Sequence, residues 1–447
     1  MKRFAILPIL CALLGAPAAW SQEAPPPPPP PEVGAAGLAA PEVPVPSVQQ
    51  DSNADLRAEI ATLKAQVAAL QARMDQAQGA GPPQPEPAGT EVAPPPETAT
   101  TAAPAGAGNA LLLPDISFIG TALSHLSTDK RDQGRSRIFL DSAEIGIQSY
   151  VYPGVKADAF ITAGRPDFKL AVEEAYVTAL NLGQGLSAQV GKRKVAFGRV
   201  NQLHPHSWLY ITQPSVLANL VAAESLTGQG ATLSYLLPTK GGLFAQLDAG
   251  LWNSPDPATI QPASSSDIRV GPGAAFQDRF KTLRLWTGKN VGANDELELG
   301  ASGAYGNGQP YQLNAENVDH PRTTLAGADL SYRHYGKGSA RTLLRGEYVW
   351  RRSKSDLNTD KTHGLYVLAD QRVSPFREYG LRYDWSQFPY APGTHESSVS
   401  GILTDQLTER TYLRLQLTHG HRPGKSGYNE AWLQWVWGLG PHTHNLE

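Results

Sequence analysis

Residues 140–164 read LDSAEIGIQSYVYPGVKADAFITAG, two alternating runs around the turn Tyr152-Pro153-Gly154. In the first run Ile145, Ile147 and Val151 share one face, and Glu144, Gln148 and Tyr150 share the other; in the second, Lys156 and Asp158 continue the polar face. A period of two is the signature of a strand with one apolar and one polar side. Pro-Gly between two such runs is a tight reversal. A strand of about 10 residues crosses a bilayer when tilted, with its apolar set in lipid and its polar set facing a lumen.

The same pattern fills residues 115–440. It predicts strands at 115–124, 139–151, 155–164, 171–180, 185–195, 226–237, 242–252, 277–287, 294–306, 323–334, 340–351, 363–372, 375–386, 396–404, 407–418 and 428–440. Connections after even-numbered strands are tight, as at Leu182-Gly183-Gln184 and Gly336-Lys337-Gly338. Those after odd-numbered strands are mostly longer, above all 196–225, 253–276 and 307–322. Antiparallel hairpins with one trimmed end and one elaborate end make an outer-membrane barrel, with short turns in the periplasm and long loops outside. An even strand count returns both chain ends to the periplasm. Apolar stripes such as Leu243, Ala245, Leu247 and Leu251, or Leu413, Leu415 and Leu417, supply the lipid face. Leu433, Trp435, Trp437 and Leu439 end the last strand at a girdle position.

Outward from the barrel, residues 1–21 read as a secretory signal. Lys2 and Arg3 precede an apolar stretch and the small-x-small site Ala19-Trp20-Ser21, with Ala18 as a competing end point. Its removal takes away Cys11, the chain's one cysteine, and with it disulfides and thiolate metal sites. Residues 22–50 and 79–109 are Pro- and Ala-rich linkers. Between them, 51–78 predicts a coiled coil, with Ile60, Val67 and Met74 at a and Leu56, Leu63 and Leu70 at d. One amphipathic helix lying on another surface is the competing reading. The barrel takes 110–447. The fold class is therefore all-β: a transmembrane antiparallel barrel of about sixteen strands with an N-terminal periplasmic coiled-coil helix. A net charge of −3 gives no argument for nucleic acid.

The candidate functional residues lie on the polar faces. Glu144, Asp158, Glu174, Arg193, Arg345, Arg351, Arg382, Arg410 and Arg414 are expected to line the pore and set its selectivity. Acids gather in the N-terminal half and arginines in the C-terminal half, which implies a transverse field; cross-strand ion pairing is the alternative. The loop 196–225 is long, and so expected to be functional, and carries many apolar residues, so it is expected to fold into the lumen and narrow it. Asn201, His204, His206, Trp208 and Tyr210 are the constriction candidates. His204 and His206 could share a metal, yet a site needs further ligands. His442 and His444 belong to the far end, so hydrogen bonding within a packed loop is preferred and no metal or cofactor is assigned.

The strip Val190-Gly191-Lys192-Arg193-Lys194-Val195-Ala196-Phe197-Gly198-Arg199, after Glu173-Glu174-Ala175-Tyr176-Val177, resembles the G-x-x-K-x-x-F-G region of phosphate-selective and related substrate-specific porins. Glu144–Ile161 is similar to the same group, and Asn201–His206 resembles a less characterised porin-like branch. The resemblance spans about 115–240. It implies a sixteen-stranded homotrimer, in some members preceded by a coiled coil. No phosphate-binding arginine ladder can be matched, so phosphate selectivity is not implied.

The expected function is passive diffusion of small hydrophilic or ionic solutes, with outer-membrane lipid around the barrel. The alternative is a structural tether whose arm contacts peptidoglycan. An enzyme is not expected, because no Ser/His/acid arrangement stands on a lipid-facing edge. An energy-coupled receptor needs a plug domain and more strands than the chain has.

Overall fold

The computed structural model describes residues 114–441, except 131, 133, 255–260, 263–274, 314–315, 319–320, 392 and 425–426. The expected signal, linkers and coiled coil, and His442 and His444, lie outside the described residues.

Sixteen strands form one closed antiparallel barrel. They are β1 (Asp115–Ser127), β2 (Arg137–Tyr152), β3 (Val155–Gly164), β4 (Leu170–Ala179), β5 (Leu186–Lys194), β6 (Thr227–Leu236), β7 (Leu243–Asn253), β9 (Phe276–Asn290), β10 (Asp295–Gly308), β13 (Arg322–Tyr335), β14 (Arg341–Lys354), β15 (Thr359–Ser374), β16 (Arg377–Gln387), β17 (His395–Thr408), β18 (Thr411–His421) and β19 (Tyr428–Leu439). Each pairs with its sequence neighbour in the barrel, and β1 pairs with β19, from Phe118 opposite Leu439 to Ser127 opposite Glu430, to close it. Closure leaves no open sheet edge, the condition for crossing a bilayer in strands. Every expected segment is a strand. Missing from the expectation is a small sheet of β8 (Gln261–Pro262), β11 (Tyr311–Leu313) and β12 (Glu316–Val318), built in the long connections.

The outward face is apolar at mid-height. Ile145, Leu285, Leu299, Leu330, Leu344 and Val367 all stand exposed there. Contiguous exposed aliphatics on this scale need an apolar medium. No helix among the described residues is long and apolar enough to cross a membrane.

The inward face holds the core. The connection between β5 and β6 buries Phe197, Trp208, Tyr210, Val216 and Leu220 against wall residues that include Leu343, Tyr366 and Leu368. A 3-10 turn (Pro205–Ser207) and an α-helix, α1 (Ser215–Leu220), form within it, and α1 packs on β14, β15 and β16.

Candidate functional site

The loop between β5 and β6 is held inside the barrel from its base. The Asn201 side chain donates to the carbonyls of Val195 and Leu226, each at 2.9 Å, and accepts from the Leu226 amide at 2.6 Å. One amide thus ties together the loop's entry and exit, and with it buried polar groups that no sheet satisfies. At Gly198 the chain turns with φ +63°, and an added Cβ would stand 2.1 Å from a Glu347 carboxylate oxygen. Glycine is needed there for both reasons. The turn sends Phe197 towards the wall at Gly327, whose missing side chain makes room for the ring. Beyond it the Gly198 amide donates to Ser302 Oγ and the Val200 amide to Glu347 Oε1, both at 3.0 Å.

The next stretch docks on an acidic wall. Opposite β3 the register slips, so that Phe160 pairs with Glu174 and Ile161 with Val172. Glu173 is the extra residue of a β-bulge, and a bulge lets two consecutive side chains face the same side. His204 sits between the carboxylates so gathered. Its Nδ1 is 2.9 Å from Glu144 Oε2 and 3.5 Å from Glu173 Oε1, and its Nε2 is 2.8 Å from Glu174 Oε1. Lys194 Nζ pairs with Glu173 Oε1 at 2.7 Å, and the Lys194 amide donates to Glu174 Oε2 at 2.8 Å. His204 is almost wholly buried. Burial and the Lys194 ammonium press its pKa down, but hydrogen bonds to Glu144 and Glu174 outweigh them and raise it to about 9. His204 is thus held as an imidazolium at neutral pH, donating from both nitrogens.

Glu144, His204 and His206 also bring one ligand atom each within 4.8 Å of one another. Glu144, from β2, is the third ligand type that the sequence did not supply. Such a set could hold a zinc-like ion, but the ion would have to displace the proton that joins His204 to Glu144. The observed bonds are those of histidines satisfied within a packed loop.

The far stretch docks on an arginine wall by other means. Arg414 Nη1 donates to the carbonyls of Trp208 and Tyr210, and Arg414 Nε donates to Thr404 Oγ1 at 2.9 Å. Arg382 donates from Nη1 to the Thr212 carbonyl at 2.6 Å and from Nε to Asp384 at 2.7 Å, and its guanidinium carbon lies 4.4 Å from the Tyr210 ring centroid. Gln416 accepts from the Ile211 amide at 2.7 Å, and Tyr412 donates to the His206 carbonyl. Asn219, in α1, donates to Glu396 at 2.7 Å.

The remaining candidates are dispersed. Arg345 bonds Ser331, and Arg351 donates to the Tyr390 hydroxyl at 2.7 Å; both are fully buried on β14. Asp158 pairs with Lys156 at 2.7 Å and accepts from Gln148. Arg193 lies 5.1 Å from the Tyr176 ring centroid. Arg410 is not in the wall: β17 ends at Thr408 and β18 begins at Thr411, which leaves Arg410 exposed in the turn between them. Alternation places that turn at 405–406, which would put Arg410 inside the following strand. Many wall arginines also meet acids, as in Arg284–Asp329 at 2.6 Å and Arg333–Glu298 at 3.0 Å. Overlooked in the sequence was Glu173, hidden by its bulge; Glu347, which alternation places on the lumen face of β14, is found there, buried.

No family model matches the chain. An uncharacterized protein of Aquifex aeolicus is 27% identical over 337 residues, covering 68% of this chain and 69% of the relative. Similar solved structures are outer-membrane porins and channels. An anion-selective porin of Comamonas acidovorans has 17% identity and a TM-score of 0.48, covering 73% of this chain and 99% of that one. The outer membrane channel DcaP of Acinetobacter baumannii has 12% identity and a TM-score of 0.45, covering 73% and 98%.

Proposed function

We propose that the chain is an outer-membrane channel for passive diffusion of small hydrophilic or ionic solutes, narrowed by the loop between β5 and β6. One observation carries this reading: a closed barrel with an apolar outer band has a charged inner face, and a single loop is bonded across that face from β2 and β4 to β16 and β18. Many of these charges meet partners across neighbouring strands, as Arg284 meets Asp329, but so many charged side chains on one inner face are what a wet path needs to set its selectivity. The long-loop end faces outward and the short turns face the periplasm. Secretion by the leader and the periplasmic coiled-coil arm belong to the same reading, supported by the sequence pattern of residues 1–109, and so does assembly as a homotrimer, which the porin resemblance of about 115–240 implies.

Planar-bilayer conductance of the full-length protein, with the reversal potential in a salt gradient, tests it. Stepwise openings, grouped in threes per insertion, are expected. A silent membrane from folded protein would mean that the apolar packing of the loop seals the lumen, and would favour the tether.

A further inference from the structure

The outward face is not uniform around the rim at the long-loop end. Strand register aligns Lys281 with Tyr305, Tyr305 with Thr324, Thr324 with Arg352 and Arg352 with Lys361. This is one continuous row over β9, β10, β13, β14 and β15. Two residues nearer the loops, Asn307, Arg322, Lys354 and Thr359 form a second row, with Arg279 at the β9 end. Arg279, Lys281, Arg322, Arg352, Lys354 and Lys361 are all exposed. On these two rows the described residues include no acid; Asp278 stands beside Arg279 at 3.8 Å and Asp356 in the turn beyond β14. Asp360, between Thr359 and Lys361, points inward and is buried.

What lies beneath the rows fixes their height. On β14 and β15 the next outward side chains towards the barrel's middle are Trp350 and His363; on β9, β10 and β13 they are Leu283, Gly303 and Ala326. Tyr348, His363, Trp385 and His395 follow one another with ring centroids 6.0, 5.1 and 5.7 Å apart. Below them come Leu285, Leu299, Leu330, Leu344 and Val367. Aliphatic, aromatic, then cationic is the order in which a bilayer presents its hydrocarbon, its interface and its phosphates. From Thr342 to Arg352 a strand tilted as in such barrels climbs about 25 Å, the height of the apolar band.

The opposite flank at the same end differs. There Ile138, Leu140, Leu170 and Val172 stand exposed. Exposed Arg165 and Lys169 also stand in the turn of that flank, beside Asp167, so what sets the patch apart is its aligned double row of cations without an acid.

We propose that this patch docks the phosphorylated headgroup of an outer-leaflet lipid, one carrying two phosphates on a sugar core. β9 and β14 are three strand spacings apart, so Lys281 and Arg352 are separated by about 14 Å. One phosphate sits by Arg279 and Lys281; the other sits by Arg352 and Lys361, with Arg322 and Lys354 above. Arginine offers the second phosphate a two-pronged donor, and the lysines add compact charge. The surface is complementary in charge and lies at the right depth. It rests on the outer-membrane reading with the long loops outward.

The test uses full-length protein in detergent, titrated with bisphosphorylated lipopolysaccharide and followed by native mass spectrometry. The comparison is the triple variant Arg352→Gln, Lys354→Gln, Lys361→Gln, whose side chains leave the lumen untouched. The native protein is expected to retain the lipid, and the variant to bind at least tenfold more weakly with unchanged conductance. Lipopolysaccharide stripped of both phosphates should bind the two proteins equally weakly. Equal binding of the phosphorylated lipid by both proteins overturns the proposal. So does full competition by millimolar inorganic phosphate, which would make the patch a free-anion site. So does loss of oligomer in the variant with lipid binding intact, which would make it a contact between copies. Failure of conductance in both proteins strikes the channel reading instead and leaves lipid binding to be scored separately.

Discussion

Two walls hold the same loop by different chemistry. On the side of β2 and β4, Glu144, Glu173 and Glu174 converge on His204, and the grip depends on a proton. On the side of β16 and β18, Arg382 and Arg414 grip backbone carbonyls of residues 208–212, and no proton that titrates near neutral pH is involved. The difference has two consequences. The acidic wall can let go as pH rises, whereas the arginine wall cannot. And Arg414, whose bonds go to neutral acceptors, keeps its charge for the lumen, whereas the acids opposite spend theirs on His204 and Lys194. The account therefore expects a net preference for anions.

The contrast breaks most severely if the arginine wall is removed. Arg382→Ala with Arg414→Ala leaves buried carbonyls of the loop without donors, and charge-assisted bonds of this type are worth about 1.5–3 kcal/mol each. Single-channel recording should show a several-fold larger conductance and a reversal potential shifted towards cations. Unchanged values for both would remove the arginine wall from the account.

Next in size is the proton on the acidic wall. His204 has a pKa of about 9 in place, above its ordinary value near 6.5. A raised pKa means that the imidazolium's contribution is complete below about pH 6.5 and is lost as pH rises through about 9, up to roughly 3 kcal/mol in all. Thermal unfolding followed between pH 6 and 10 should show this loss, and His204→Gln should flatten it. A native profile as flat as the variant's would contradict the imidazolium.

A smaller change comes from Glu144→Gln, which replaces one of the two charged acceptors of His204 with an amide. Docking should weaken by about 1–2 kcal/mol, and the alkaline midpoint should move down in the same unfolding series. Smallest of all is Lys156→Ala. Its partner Asp158 keeps the Gln148 hydrogen bond, and the lysine is partly exposed, so the change should stay within about 1 kcal/mol by denaturant or heat.

The barrel was legible because a strand's alternation is local: Ile145, Ile147 and Val151 declare their face whatever lies beside them. The loop's inward course was legible for a related reason, since Trp208, Leu209, Tyr210 and Leu220 are poorly suited to water. What escaped depends on partners far along the chain. Glu173 faces the lumen only because β4 slips by one residue against β3. Glu144 meets His204 across sixty positions of sequence. Arg410 leaves the wall because the last hairpin before β19 turns at 409–410, four residues beyond the 405–406 that alternation suggested. The strands β8, β11 and β12 carry too few residues for any period to show.

Single-channel conductance of the native protein and of His204→Gln, each at pH 7 and pH 10, tests the latched loop most directly. The account predicts a native conductance that rises between the two pH values and a variant that shows the larger conductance at both. Equal, pH-independent conductance in the two proteins would contradict it.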